Sequence, residues 1–206
     1  MFPSLPPITR GLIVANIAVF LLEFLLGERM LALLALWPVG PLFHPWQLVS
    51  YAFLHEPNNL MHIVFNMFAL YMFGGAMEMY WRRQGAATFY LLYYFVCVLA
   101  AAATELVVLS QAKTAEPVIG ASGGVFGMLL AYGWFFPRER VLVLPIPVPI
   151  PAWLLVIIYG GIELWLGVTG KQDSVAHFAH LGGMLGGAIM ILLWRTMERG
   201  RTTDYR

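Results

Sequence analysis

Three features of the sequence predict an all-α polytopic membrane protein, a bundle of six membrane-spanning helices. Hydrophobic residues make up 60% of the 206 and charged residues only 11%, where soluble chains carry about a quarter. Mean hydropathy is +0.76, so lipid rather than water is the natural solvent. The apolar residues are also gathered into runs close to the length, about 20 residues, that a helix needs to cross a bilayer. A single membrane domain over residues 1–206 is expected at this length.

Six stretches qualify or nearly so. The first, Gly11–Gly27, follows "MFPSLPPITR" and lacks a small-residue cleavage site, so it reads as a retained span. The second, Leu60–Tyr80, follows "EPNN", which offers Asn58 and Asn59 as helix caps. The third is Ala86–Leu109, and the fourth, Ser122–Phe136, is short for a full crossing. The fifth, Ile150–Val168, opens on "IPVPIPAW", where Pro151 suits a first helical turn. The sixth is Val175–Trp194. Between the first two lies the only long linker, Glu28–Asn59. Its apolar piece "MLALLALW" is too short to span and, with Trp37, Phe43 and Trp46 nearby, reads as a segment lying in the membrane interface.

Basic residues orient the bundle. An even number of spans puts both termini on one side, with Arg10, Arg82, Arg83, Arg138, Arg140, Arg195, Arg199, Arg201 and Arg206. Only Arg29, Lys113 and Lys171 fall on the other. The excess of Lys and Arg on cytoplasmic loops then predicts both termini inside and the long linker outside, as in a plasma (inner) membrane. Net charge is +1, which implies no nucleic-acid partner, and one cysteine, Cys97, excludes an internal disulfide.

In this topology the polar residues that carry chemistry collect at the outer face. Ser122 opens the fourth span, His62 and Asn66 sit at the outer end of the second, and His177 and His180 at that of the sixth. A polar side chain within a span costs a few kcal/mol unless paired or wetted. A serine paired with a histidine offsets that cost and gains a base for its proton. His180 is expected about five residues into its span, level with a sunken serine if the fourth span is short. Glycines explain how the two meet. Gly123 and Gly127 repeat at i, i+4 in the fourth span, and Gly183 and Gly187 in the sixth, so both helices offer faces for close packing. His62 and Asn66 share a helix face and can donate to an oxyanion, as can the backbone N–H groups that begin the fourth span.

"GASG" (Gly120, Ala121, Ser122, Gly123), "AHLGGMLGG" (Ala179–Gly187) and "HIVFN" (His62–Asn66) resemble the GxSG, AHxxGxxxG and HxxxN signatures of rhomboid intramembrane serine proteases in order, spacing and setting. The resemblance implies that Ser122 is the nucleophile and His180 the general base, a dyad without a carboxylate. It implies an oxyanion hole from His62, Asn66 and the Ser122 N–H, supported by Gly120 and Ala121. His177 is expected to support by hydrogen bonding. Substrates would be transmembrane segments of other membrane proteins, cut near the extracytoplasmic face, with no metal and no cofactor. Family members often carry Trp-Arg in the first outer linker, where this chain has Trp46-Gln47.

Two other functions compete. A rhomboid-like protein that only retains membrane clients would usually lack the Ser or the His, and both are present. A metal-dependent protein could draw on His55, Glu56, His62, His177 and His180, but "HEPNN" lacks the second histidine of HExxH. Glu23, Glu78 and Asp173 read as interfacial, interhelical or loop acids rather than catalytic ones.

Overall fold

The computed structural model describes residues 5–111, 116–143, 146–170 and 176–203; Lys113, Lys171, Asp173 and Arg206 lie outside them. Helix α1 runs over Pro7–Leu26. The outer linker then holds α2 (Glu28–Leu34), α3 (Gln47–Ser50) and a 3₁₀ turn, Tyr51–Phe53. Helices α4 (Leu60–Ala69) and α5 (Gly75–Arg83) are halves of one span, joined by a π turn at Leu70–Gly74. After α6 (Ala87–Leu109) and α7 (Ser122–Phe135) come strands β1 (Arg140–Val143) and β2 (Ile146–Pro151). Helices α8 (Ala152–Thr169) and α9 (His177–Thr203) complete the bundle.

Five of these helical segments are long and apolar enough to cross a membrane: α1, α4–α5, α6, α8 and α9. Helix α7, with 14 residues, measures about 21 Å at 1.5 Å per residue, short of a bilayer core of about 30 Å. It is nonetheless the most enclosed in character: Gly123, Gly124, Val125, Gly127, Met128 and Leu129 are all buried.

Three local expectations need correction. Asn59 takes the N-cap position of α4 but makes no side-chain cap bond, and the Asn58 amide turns to Glu56 instead. The fifth span starts at Ala152, not Ile150, because the prolines before it form strand rather than helix. Ile146, Val148 and Ile150 each precede a proline, which disfavours the helical region. The segment therefore pairs with β1 as a small antiparallel hairpin, Val141 opposite Ile150, in an otherwise helical bundle. Finally, α9 begins at His177, so His180 lies in its first turn rather than about five residues in.

Polar bonds tie the helices together where lipid offers none. The N-terminus of α1 has no cap of its own. Glu78, wholly buried on α5, accepts from the backbone N–H of Ile8 (3.1 Å) and Thr9 (2.7 Å) and from the Thr9 hydroxyl (2.9 Å). A carboxylate at that helix end is also favoured by the dipole. Glu23 accepts from the His55 N–H at 3.0 Å, so both acids act between elements. At the far end from the histidines, Trp81, Phe89, Tyr93 and Trp194 interlock, with Phe89 and Trp194 rings 4.7 Å apart.

Helix α9 sits between α6 and α7 on a seam of small residues. A Cβ at Gly183 would fall on the backbone of Gly123, and one at Gly127 on Cys97. Gly182 and Gly186 face Thr104 and Ala100 of α6, and Gly187 faces the Tyr93 hydroxyl, which itself donates to the Gly127 carbonyl at 2.8 Å. Gly183→Ala is expected to push α9 off α7 and destabilise the fold by about 2 kcal/mol or more. Gly161→Ala, on α8 with open space around it, should be neutral or slightly stabilising. Thermal unfolding in detergent compares the two; equal midpoints would refute the seam as a tight contact.

Candidate active site

Ser122 is the first residue of α7, and the linker builds its seat. Leu36 and Val118 exchange backbone hydrogen bonds at 2.9 Å each way, and the Gly120 N–H donates to the Tyr51 carbonyl at 3.0 Å. The Tyr51 hydroxyl in turn donates to the Val98 carbonyl of α6 at 2.9 Å. Gly120 has φ +125°, where only glycine is at ease, and a Cβ there would strike His62 Nε2 and come within 3.7 Å of Ser122 Oγ. Glycine is thus required twice, by conformation and by space. Ala121 beside it is wholly buried.

Trp46 and Gln47 secure the same linker. The Trp46 indole donates to the Leu33 carbonyl at 2.9 Å and stacks on His44 at 4.3 Å. The buried Gln47 amide accepts from the His44 N–H at 3.1 Å and donates to the Leu42 carbonyl at 3.0 Å. A glutamine, donor and acceptor at once, serves this position as a brace.

Across the seam, His180 Nε2 lies 2.7 Å from Ser122 Oγ. Phe126, one turn after Ser122 on α7, stacks flat on the imidazole, centroids 4.3 Å apart and planes at 5°. The ring is therefore clamped on one face and hydrogen-bonded at one edge. The first N–H groups of α7 have no side-chain cap, so this end of the helix offers unpaired donors beside the serine. The Glu56 N–H donates to His62 Nδ1 at 3.3 Å. A neutral His62 then carries its proton on Nε2, the nitrogen beside Gly120. Asn66 is buried one turn further on and spends one amide hydrogen on the His62 carbonyl at 2.9 Å, leaving the other for a second acceptor.

One residue that matters at this site was not singled out from the sequence. Glu163, on α8, is buried, and its Oε2 is 2.6 Å from His177 Nδ1 and 2.9 Å from His180 Nδ1. His177 thus partners this carboxylate, and its ring centroid stays 6.4 Å from that of His180. The signal was available: an ionisable residue inside an apolar span is a functional candidate by default. Glu163, His177 and His180 also bring three ligand-type atoms within 4.8 Å of one another. Two ligands of one tetrahedral zinc stand about 3.4 Å apart, given bonds of about 2.1 Å. The observed 2.6 and 2.9 Å are shorter than that, and the first is a hydrogen bond.

A family model described as the Rhomboid domain matches residues 42–196. The chain belongs to the rhomboid family. Among curated rhomboid relatives, Rhomboid protease GlpG of Klebsiella pneumoniae subsp. pneumoniae is 29% identical over 187 residues, 89% of this chain and 62% of that protein. Rhomboid protease GlpG of Salmonella choleraesuis and that of Salmonella typhi are each 27% identical over 199 residues, 95% of this chain and 66% of theirs. This rhomboid chain therefore spans a little under two thirds of the length of the relatives it matches.

His55, in the linker, packs against His62 with centroids 5.0 Å apart. Burial, aided by His62, lowers its imidazole from 6.5 to about 4. The unfolded chain therefore takes up this proton at higher pH than the folded one does. Stability is full above about pH 6.5 and declines as pH falls toward about 4. His55→Phe should flatten that decline, read as unfolding midpoints in detergent between about pH 7 and about pH 4; an unaltered slope would assign it to other groups.

Proposed function

We propose that this rhomboid is an intramembrane serine endopeptidase that cuts transmembrane segments of other membrane proteins near the extracytoplasmic face. The observation that carries this reading is the 2.7 Å contact between Ser122 Oγ and His180 Nε2. Neutral His180 takes the hydroxyl proton on Nε2 as Oγ bonds to the scissile carbonyl carbon. The carbonyl electron pair moves to oxygen, where the Ser122 N–H, His62 Nε2–H and the free Asn66 amide hydrogen receive it. Collapse breaks the C–N bond, and His180 returns its proton to the leaving amine. Water, deprotonated by the same imidazole, then hydrolyses the serine ester.

The membrane setting completes the proposal. Helix α7 is a sixth, short crossing packed among α4–α5, α6, α8 and α9, with both termini cytoplasmic as the basic residues imply. Its shortness sinks Ser122 below the outer surface in a recess that water reaches. A peptide bond within a helix is hydrogen-bonded and shielded, so the substrate must unwind at this depth, which favours small and helix-weakening residues near the cut. Substrate passes laterally from lipid, and α8 is the gate. Only 17% of its window is buried, against 28% to 56% for the other four long spans, and Gly160 and Gly161 lie at its middle.

Ser122→Ala and His180→Ala should each lower cleavage of a model single-pass substrate about a thousandfold or more. Both should also abolish fluorophosphonate labelling at Ser122. His62→Ala should cost about a hundredfold in kcat with KM little changed. Substrate that is bound but never cut by the wild type would point to a non-catalytic client-binding protein. Separately, a crosslink between α8 and the α4–α5 span should stop cleavage of a transmembrane substrate while sparing labelling by the small fluorophosphonate; undiminished cleavage would end the gate proposal.

A further inference from the structure

We infer that Glu163 is a positioning residue that holds the His180 imidazole, through Nδ1, in the orientation and tautomer its work as a base requires. The inference rests on the endopeptidase reading and adds a group to it. Three observations support it. Glu163 Oε2 lies 2.9 Å from His180 Nδ1, the nitrogen opposite the one that meets Ser122. The carboxylate is itself anchored, at 2.6 Å, by His177 Nδ1. All three residues are buried, so these contacts are largely withdrawn from bulk water.

The tautomer argument is direct. A neutral imidazole has one N–H. For Nε2 to accept the Ser122 proton, the ring hydrogen must already be on Nδ1. An ionised carboxylate beside Nδ1 accepts and cannot donate, so it selects that form. When the Oγ–H bond breaks and the Nε2–H bond forms, the Nδ1 proton stays where it is and the imidazolium faces Glu163 across its other edge. No proton passes to the carboxylate. His180 Nδ1 makes no hydrogen bond in this arrangement, although Glu163 Oε2 is 2.9 Å away. Catalytic hydrogen bonds are commonly loose without substrate and tighten once it binds. Phe126 lets the ring pivot in its own plane, since a flat stack at 5° constrains tilt and not in-plane rotation.

Glu163→Gln is the test, in the purified full chain with a single-pass substrate and, separately, a fluorophosphonate. The amide keeps the shape but can donate to Nδ1 and so stabilise the wrong tautomer. Expected are a loss of about a hundredfold in kcat, unchanged KM, an equal slowing of Ser122 labelling, and partial recovery in Glu163→Asp. His177→Gln, which removes the anchor but leaves the carboxylate, should cost much less. Wild-type rates of labelling in Glu163→Gln would overturn the inference. So would an equal loss in His177→Gln that tracks a lowered unfolding midpoint, because Glu163 would then merely tie α8 to α9. Inhibition of the wild type but not of Glu163→Gln by micromolar Zn²⁺ would also overturn it and make the cluster a metal site. A wild type that neither cleaves nor labels would instead sink the endopeptidase reading itself.

Discussion

At Gly123 and Gly183 the backbones of α7 and α9 meet with no side chain between them. In lipid there is little hydrophobic gain in bringing two helices together, so association relies on close van der Waals packing and on bonds between helices. The seam supplies both. Its glycines permit the approach, and the Tyr93 hydroxyl bonds the Gly127 carbonyl across to α6. The contact between Ser122 and His180 follows from this spacing: each lies within one turn of its seam glycine. Any side chain in the seam would separate hydroxyl from imidazole before it disturbed either residue directly.

A second constraint acts from outside the bundle. The segment before α7 carries Gly120 at a left-handed φ, with a linker holding it on both sides. The linker is irregular, and two of its polar side chains bond to backbone nearby: Gln47 to four backbone partners, Ser50 to the Leu34 carbonyl. This is how irregular backbone stays ordered next to a membrane without sheet or helix to satisfy it. The cost of rigidity at the serine is carried by residues that never touch it.

Much of this was legible in the sequence because bilayer thickness, glycine spacing and the sites of costly polar residues act over single helices. Ser122, His180, Gly120 and His62 are brought to one place, and the glycine faces meet. The parts that were not legible depend on partners distant in the chain. Glu78 looks like an ordinary acid at the end of a span, and only the fold reveals that it caps α1, some seventy residues earlier. The hairpin before α8 could have been anticipated from the alternating prolines that follow Ile146, Val148 and Ile150, a pattern that Pro151, read alone as a helix start, concealed. Glu163 was hidden in another way. Its span is apolar enough that one acid does not break the pattern, yet that isolation is what makes it costly and therefore informative.

The physical difficulty of a serine–histidine pair in a membrane is the imidazolium. In the proposed mechanism, proton transfer from Ser122 leaves a cation on His180 in a region where bare charge is poorly solvated. Phe126 offers one remedy, since an aromatic face attracts a cation stacked on it. That attraction is weak in directional terms and says nothing about which nitrogen holds the resting proton. A carboxylate at the opposite edge addresses both needs, charge and tautomer, but it brings a buried anion that must be stabilised when His180 is neutral. In the proposed arrangement His177, whose Nδ1 lies 2.6 Å from the same oxygen, stabilises that anion. A lone carboxylate beside the base would be too costly at rest, and a lone second histidine would do nothing for the base. The three residues are intelligible only together, which is why neither "HFAH" nor a single mid-span glutamate, taken separately, discloses the arrangement.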